Sequence, residues 1–475
     1  MGIKKSVLFL IFLMIGFPDI TQAQNISEKA YITQEDQLKN IENTKTLSAT
    51  EKTSTQNSFF QFNDGLWLNT SDTVFRDIYH EVLKDPLSSS FAEDMRVWGN
   101  LTFAQKNSIY IRVKDTYSFN HVSADYIGPA TGYDNNGPHL DMGYLSLASD
   151  TAELKIGRQY LSVGNGIAYS DINDGVKLRK VIGCWILKGF AAQSTPHEID
   201  IDTSVPGYDK NSNKRNFYGF ELGYAGIPKL VPYIYYLVQR DHSTTNPTDP
   251  TQGYRYNSQY LGFGLNGFIN NHFSYWLEGI KENGMDFNDA SSDTDISLSK
   301  EKINAYAADL GVKYKFETMF NPISQAEFAY GSGDKNRANP TNTIGGNNNK
   351  IDTNFLYFGN YYGGYALSPR LSNLLIYKLE QSFNPLDHWN TFKDLTIGGK
   401  YFIYVKDKSS AGISDIESLQ PHSFVGTEYD LYANWAINKH LFILLRYGEF
   451  SPGNTFSSDA KAHSRYYLLE TTIAF

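Results

Sequence analysis

Apolar and polar residues alternate with a period of two along most of the chain after about residue 57. Within 108–116, Ile109 and Ile111 fall on one face, whereas Arg112 and Lys114 fall on the other. Alternation over runs of roughly 8 to 13 residues indicates β-strands with one apolar and one charged face. In a water-soluble sandwich the charged faces would point to solvent, and in a membrane barrel they would line an aqueous lumen. The alternation alone is compatible with both folds.

The connections between the strands favour the barrel. Tight turns are expected at 227–229, 270–272 and 438–440. Long polar loops are expected at 120–138, 193–213, 241–257 and 331–353. Short turns at one end and long loops at the other are typical of outer-membrane barrels.

Aromatic residues lie near the ends of several strands, as the interface girdles of a membrane barrel require. These residues are Trp276, Trp435, Tyr466 and Tyr467. The stretch 464–475 alternates and ends on Phe475, which resembles the signal read by bacterial barrel-assembly machinery. We therefore expect two partners, the lipid bilayer and, through Phe475, that machinery. The expected location is the outer membrane of a Gram-negative bacterium.

The number of strands follows from parity. Single-chain bacterial barrels have an even number of strands, and the alternation gives an odd number between 93–104 and 464–475. One more strand is therefore expected within 58–70. The predicted fold is all-β, a transmembrane antiparallel β-barrel of about 18 strands with short periplasmic turns and long extracellular loops. The alternative is 16 strands, because 71–92 could form a loop, a short helix or a strand.

The first residues predict export. Lys4 and Lys5 precede an apolar stretch at 7–17 that is too short to span a membrane as a helix, and 21–23 places small residues at the usual cleavage positions. We expect 1–23 to be a signal peptide, with a short N-terminal anchor as the alternative. Residues 24–56 are polar and predict a mobile or weakly helical periplasmic tail. The barrel then occupies 57–475.

Composition excludes further classes. After residue 20 no stretch supplies the roughly 18 to 20 unbroken apolar residues of a spanning helix, so a helical membrane protein is not expected. The single Cys184 excludes an intramolecular disulfide, and the net charge of −9 argues against a nucleic-acid partner. No HExxH pattern or Cys-containing cluster predicts a metal site, and no local pattern marks a catalytic nucleophile. We expect no cofactor, no bound metal and no enzymatic activity.

The charged faces should line a water-filled lumen, because 16 to 18 strands leave an aqueous channel. By the alternation, the inward-facing basic residues are Arg112, Lys114, Lys155, Lys177, Arg179, Lys188, Arg215, Lys313, Lys315, Lys378, Lys400, Lys406 and Arg446. They outnumber the inward-facing acids, which are Glu153, Glu221, Glu278, Asp309, Glu327, Glu380, Glu428, Asp430 and Glu470. Rings of Arg and Lys favour anions in a pore, so the lumen predicts an anion preference. A general porin whose mixed charges only solvate the wall is the alternative.

A local motif lies within 154–180. Residues 157–159 read GRQ, Gly164 and Gly166 follow, and 174–178 reads DGVKL. This motif resembles the alginate export family of outer-membrane porins. The resemblance implies an 18-stranded barrel with an Arg- and Lys-lined passage through which an anionic polysaccharide leaves the cell. It also implies that a strand ends in GRQ, that a loop then folds inward, and that the next strand begins after the Asp-Gly.

Carried over by position, the resemblance makes Arg158, Asp174, Lys177 and Arg179 candidates for the constriction. Arg158 breaks the alternation of its strand and falls on the face of Ile156, where an Arg in lipid would cost roughly 2 to 4 kcal/mol. A bulge, a position beyond the lipid or an inward-folded loop would each remove this cost. Asp174 could pair with Arg158. The alternative is a surface turn with a solvated Arg.

The prediction is a passive porin that conducts anionic solutes or an anionic polysaccharide. The predicted pore-lining residues are Arg112, Lys114, Lys155, Arg158, Asp174, Lys177, Arg179, Lys313, Lys315, Lys400, Lys406 and Arg446. Two alternatives stay open: a general or nutrient-uptake porin without marked anion preference, and a plugged barrel that acts as an adhesin.

Overall fold

The computed structural model describes most of the predicted barrel. The described residues are 60–77, 80, 87–122, 130–195, 215–242, 256–289, 298–337, 340, 351–415 and 417–475. The predicted signal peptide 1–23 and periplasmic tail 24–56 lie outside them. Within these ranges no helix has the length and apolar character needed to cross a membrane.

Nineteen strands form a single sheet. They are β1 (Phe60–Arg76), β2 (Leu87–Phe103), β3 (Asn107–Val122), β4 (Ala130–Ala148), β5 (Ala152–Val163), β6 (Tyr169–Ile182), β7 (Trp185–Gln193), β8 (Arg215–Tyr224), β9 (Leu230–Asp241), β10 (Asn257–Phe268), β11 (Phe273–Asp289), β12 (Leu298–Lys315), β13 (Ile323–Gly331), β14 (Ile351–Asp352), β15 (Leu374–Phe383), β16 (Leu395–Lys406), β17 (Phe424–Asn438), β18 (Leu441–Pro452) and β19 (Ser464–Ala474).

The sheet closes into a barrel because β1 pairs with both β2 and β19. The two-residue strand β14 pairs in parallel with β12 beyond the end of β13, and β13 pairs directly with β15. The other 18 strands form the antiparallel wall, which confirms the predicted fold class and the higher of the two strand numbers. Closure leaves no unpaired sheet edge around the wall, as a membrane requires.

Exposure separates the two faces of each strand. On β3, Ile109 and Ile111 are exposed, whereas Tyr110 and Arg112 are buried inside the barrel. Large apolar side chains are likewise exposed on alternate positions of the other strands, because the outer surface is built to meet lipid. The tight connections 227–229 and 270–272 lie at one end of the barrel, which we call the turn end. The opposite end is the loop end.

Two boundaries differ from the sequence prediction. The predicted loop at 120–138 is shorter, because β3 and β4 continue to pair as far as Val122 and Ala130. The extension carries many polar residues, and it also contains the contact of Phe119 with Tyr133, whose ring centroids lie 4.8 Å apart. The uncertain stretch 71–92 contains the end of β1 at Arg76 and the start of β2 at Leu87.

The predicted aromatic girdle is wrong at two positions. Trp276 lies on the inward face, where its Nε1 donates to Asp309 Oδ2 (2.9 Å). Tyr466 also points inward and stacks on Tyr365 with the ring centroids 6.0 Å apart. Both rings lie on the lumen side of the wall, and alternation near a strand end does not by itself distinguish this position from membrane anchoring.

Candidate functional site

The tip of the β5–β6 hairpin leaves the barrel wall and enters the lumen. β4 pairs with β5 only as far as Arg158, and β6 pairs with β7 only from Asp174 onward. Between these points neither strand pairs with the wall: β5 and β6 pair with each other, and Tyr169 forms an isolated bridge with Phe358. We call residues 159–173 the inward hairpin.

Two glycines face each other where the inward hairpin departs. Gly157 is paired with Gly175 in the β5–β6 ladder and has a φ of 127°. A Cβ at Gly157 would lie 2.2 Å from the carbonyl oxygen of Gly143, so only glycine fits this close approach. β5 continues past the GRQ residues to Val163, and the loop that lies in the lumen is 164–168. The strand end implied by the resemblance is therefore corrected, because Gln159 and Val163 keep the alternation and pack inside.

Arg158 and Asp174 lie on the outer side of the wall and not on the inward face expected of pore-lining residues. Asp174 shares its face with the exposed Val176. The Arg158 guanidinium donates two hydrogen bonds to Asp174, from Nε (2.8 Å) and Nη2 (2.9 Å), and a third to the Leu140 carbonyl (2.7 Å). The ion pair thus bridges β4, β5 and β6 where the main-chain ladder ends. The expected pairing of the two side chains is present, but their position differs from the one proposed for a constriction.

Carboxylates of β8 and β11 hold the tip of the inward hairpin. The Gly164 N–H donates to Glu221 Oε2 (3.0 Å), and the Asn165 N–H donates to Glu278 Oε2 (2.8 Å). Tyr235 OH also donates to Glu278, at 2.7 Å. Glu278 is fully buried. Charged acceptors make strong hydrogen bonds to backbone N–H groups, so these side chains fix the tip in the lumen.

A second element crosses the lumen between β13 and β15. We call residues 353–373 the inward segment. The Leu356 N–H donates to Glu282 Oε2 (3.0 Å), and Tyr260 OH donates to the Leu356 carbonyl (2.8 Å). Farther along, the Phe358 N–H donates to the Ala168 carbonyl (3.0 Å). The two inward elements are therefore bonded to the wall and to each other.

The later part of the inward segment attaches to the far wall. Glu428 accepts the Ala366 N–H at 2.7 Å and the Leu367 N–H at 2.9 Å. Tyr361 OH donates to Glu327 Oε1 (3.1 Å). Burial, together with the nearby Glu327 carboxylate, raises the pKa of the Tyr361 phenol well above its ordinary value, so this phenol stays a donor. The segment thus narrows the lumen from β10 to β17.

The inward segment was not predicted from the sequence. A signal was present, since 354–367 reads NFLYFGNYYGGYAL, which is far richer in aromatic residues than a solvated loop. Phe355, Leu356 and Tyr357 are almost fully buried. Aromatic residues between two strands of a barrel can therefore indicate a connection that packs inside.

A group of cations faces the lumen near the turn end on β5, β6 and β7. We call it the basic patch, and its members are Lys155, Lys177, Arg179 and Lys188. The ladder pairs Lys155 directly with Lys177, and Arg179 directly with Lys188. Lys155 lies 3.3 Å from Glu153, and Lys188 lies 2.7 Å from Glu221, while more than a quarter of each Lys side chain remains exposed. The patch keeps an excess of positive charge beside open space.

The remaining predicted basic residues also lie on inward positions, but they differ in exposure. Lys313 and Lys315 are partly exposed near the turn end of β12. The nearly buried members of the set are Arg112, Lys400, Lys406 and Arg446. Lys400 Nζ sits over the Tyr362 ring at 4.5 Å from its centroid, beneath the inward segment. The predicted pore-lining cations are therefore divided into a partly exposed group and a covered group.

Arg112 belongs to a network that alternation did not reveal. A bulge between Leu140 and Met142 inserts Asp141 into β4. Asp141 accepts from Arg112 Nε at 2.5 Å and lies 3.3 Å from Arg96 Nη1. An extra residue reverses the parity of a strand, so the position of Asp141 could not be read from period two. Lys114, one rung farther, lies 3.4 Å from Asp94 of the same network.

Charged side chains are the main chemical feature of the described lumen wall. Among the residues that the structure describes, no group of three or more His, Cys, Asp or Glu side chains is arranged to hold a metal ion. Chemically, the basic patch can attract anions, and the inward elements can limit the size of what passes.

Comparison with known proteins agrees with this architecture. The family model described as Alginate export matches residues 84–469. A search of curated proteins gives no match. Among solved structures, Pseudomonas aeruginosa OccK7 (OpdD) is similar with a TM-score of 0.51 and 12% identity, covering 87% of this chain and 99% of that one. Acinetobacter baumannii OccAB4 gives 0.49 and 13%, covering 87% and 98%. The outer membrane protein opdK from Pseudomonas aeruginosa gives 0.47 and 9%, covering 87% and 99%.

Proposed function

The chain belongs to the alginate export family, and from this membership and the charges in its lumen we propose that it is a passive pore for anionic solutes or an anionic polysaccharide. The family and the barrel make it a porin-type channel of the Gram-negative outer membrane. The finer proposal concerns which solutes the lumen favours.

The pairing of like charges in the basic patch carries this proposal. Lys155 opposite Lys177, and Arg179 opposite Lys188, place cations at neighbouring positions of the ladder. Like charges directly opposite each other destabilise a sheet. A wall that only needed solvation could carry neutral polar residues at these four positions. The arrangement makes sense as a surface that concentrates anions at the turn end of the pore.

Several weak sites suit transport better than one strong site. An anion can exchange between the basic patch and Lys313 or Lys315 on the same inward surface of the barrel. Binding must be favourable enough for entry and weak enough for release. The partial exposure of these side chains keeps water in the passage and prevents deep trapping.

We also propose that Phe475 serves as the assembly signal. The Phe475 N–H donates to the Leu66 carbonyl at 2.9 Å, next to the β1–β19 closure, and the side chain is 59% exposed. An exposed aromatic ring beside the closing strand pair is accessible to assembly machinery. Its substitution by Ser should lower the amount of folded barrel in the outer membrane and leave the selectivity of the folded fraction unchanged.

Planar-bilayer recording with the full chain tests the anion preference. The wild type should show a reversal potential on the anion-selective side in a salt gradient. The double variant K177E/R179E should move it toward cation selectivity, because it replaces two cations of the basic patch. K281E, which changes a Lys on the outer surface, is the control and should leave the potential unchanged.

Two results would support other functions. Unselective current in the wild type, with no response to K177E/R179E, would favour a general or nutrient-uptake porin. Absence of current would favour a plugged barrel acting as an adhesin. The adhesin alternative is supported by the hydrogen bonds between the inward hairpin and the inward segment, because these two elements together fill part of the lumen.

A further inference from the structure

The outer surface changes from apolar to cationic at one level on β12. The exposed apolar side chains Val312, Leu310 and Tyr306 lie toward the turn end, and the exposed Lys302 and Lys300 follow toward the loop end. The change comes about ten residues from the turn end, which matches an apolar band about 25 Å tall. These lysines therefore lie just beyond the hydrocarbon on the loop side.

The neighbouring strands add outward cations near this level, and the boundary on β11 is less sharp, because the exposed Met285 lies beyond Lys281 toward the loop end. The ladder places Met285 of β11 opposite Lys302 and places Lys281 opposite Tyr306. Arg240 occupies the corresponding outward position near the end of β9. We call Arg240, Lys281, Lys300 and Lys302 the cationic rim. Uncharged amides lie on the same outward surface, namely Asn257, Gln259, Asn283 and Asn304.

No acid among the described side chains pairs with the cationic rim. Lys281 Nζ donates to Tyr306 OH (3.1 Å), and Arg240 Nη1 donates to the Gln239 carbonyl (3.2 Å). Within the described side chains of β8 to β13, the carboxylates lie on inward positions. Four cations thus share an exterior surface on which the described side chains of β9 to β12 include no acid.

The opposite exterior is different at the same end of the barrel. There Glu449 accepts from Arg465 Nε at 3.1 Å and contacts His463 Nδ1 at 2.8 Å. Glu93 and Asp72 are further exposed acids on that side. A cationic exterior is therefore a local property of β9 to β12 and not a general feature of the loop end.

We propose that the cationic rim binds the phosphorylated headgroups of outer-leaflet glycolipids. Long loops face the cell exterior in outer-membrane barrels, so the rim lies at the headgroup level of the outer leaflet. Phosphate oxygens accept charge-assisted hydrogen bonds from Lys and Arg. The amides beside the cations can bond to sugar hydroxyls. A free anion would not need the apolar band directly beneath, which fits the acyl chains of the same lipid.

The test measures binding of purified lipopolysaccharide to the full chain in detergent micelles. The probe is used with its lipid A phosphates and after enzymatic dephosphorylation. Dephosphorylation, or the variant K300Q/K302Q, should weaken binding about tenfold, since each cation near an anionic lipid surface contributes to affinity. The control R76Q/K180Q removes two outward cations from other strands and should stay within about twofold of the wild type.

Equal binding of both lipopolysaccharide forms would overturn the proposal, as would an unchanged affinity of K300Q/K302Q. Competition by inorganic phosphate as effective as by the phosphorylated lipid would rule out a lipid ligand. Heat-modified migration and bilayer conductance confirm that each variant is folded. Because the readout is lipid affinity, its outcome is independent of the ion selectivity of the pore.

Discussion

The basic patch on β5 to β7 and the carboxylates on β8 to β17 are both inward-facing products of the same period-two alternation, yet they act differently. Lys155 and Lys188 keep part of their side chains exposed to the lumen. Glu278 and Glu428, in contrast, are fully buried and accept N–H groups of the inward elements. The cations therefore face the passage, and the acids hold structure inside it.

This difference shows why a count of inward-facing charged residues is a poor measure of the charge that a solute meets in the lumen. A carboxylate whose oxygens accept backbone N–H groups of an inward element is not available for contact with a solute, whereas an exposed cation is. The sequence suggests that Glu221 and Glu428 dilute a positive lumen. The structure gives each of them a backbone partner, Gly164 for Glu221 and Ala366 for Glu428. The open wall is more basic than the composition of the whole lumen.

Removal of an acceptor carboxylate should have the largest effect. Glu428→Ala deletes the acceptor of two backbone N–H groups of the inward segment. Hydrogen bonds to charged groups contribute about 1.5 to 3 kcal/mol each, so the loss of two should raise the ratio of detached to attached segment by at least about 100-fold. Single-channel conductance should increase. Glu449→Ala on the outer surface is the control, and an unchanged conductance in Glu428→Ala would show that the segment does not limit flow.

A smaller effect is expected at the point where the inward hairpin leaves the wall. Gly157→Ala forces a side chain into a φ of 127° and against the Gly143 carbonyl. Such strain costs about 1 to 3 kcal/mol. The midpoint of heat-induced unfolding, followed by gel migration, should fall. Gly189→Ala, whose new Cβ would lie 3.7 Å from its nearest neighbour, should leave the midpoint close to that of the wild type. Equal midpoints in both variants would contradict a hinge at Gly157.

Neutralising part of the basic patch should have a moderate, salt-dependent effect. Lys155→Gln with Lys188→Gln should reduce the anion-to-cation permeability ratio by about half at low salt, and the difference should vanish near 1 M salt, where the Debye length is about 3 Å. Reversal potentials at several salt concentrations provide the measurement. A reduction that persists at high salt would point to a change in pore size instead of its field.

The smallest effect is expected from breaking the Arg158–Asp174 ion pair on the outer side of the wall. Asp174→Asn removes the charge that Arg158 meets on a surface where Asp174 is 53% exposed. Exposed ion pairs contribute about 0.2 to 1 kcal/mol. Stability should fall slightly and ion selectivity should not change. A clear loss of anion preference in this variant would show that Arg158 and Asp174 act on the permeating ions. That result would weaken the contrast between the basic patch and the buried carboxylates.

The sequence predicted some positions well and missed others for physical reasons. Lys177 and Arg179 lie on the expected face, since their part of β6 alternates without interruption. The position of Arg158 could not be predicted. Where a hairpin leaves the wall, a side chain need not face either the lipid or the lumen. Asp141 was missed because a bulge shifts its parity. The inward segment was missed because period two carries no information about connections.

The sequence by itself predicted the barrel and the inward position of most cations, because both follow from alternation within single strands, and it narrowed the strand number to 18 or 16. The tertiary structure alone decided which charged side chains remain exposed to the lumen. That choice depends on where the inward hairpin and the inward segment 353–373 cross the lumen, and their bonds join residues far apart in the chain, such as Asn165 with Glu278 and Leu367 with Glu428. Local periodicity specifies which way a side chain points, and long-range packing specifies what it meets there.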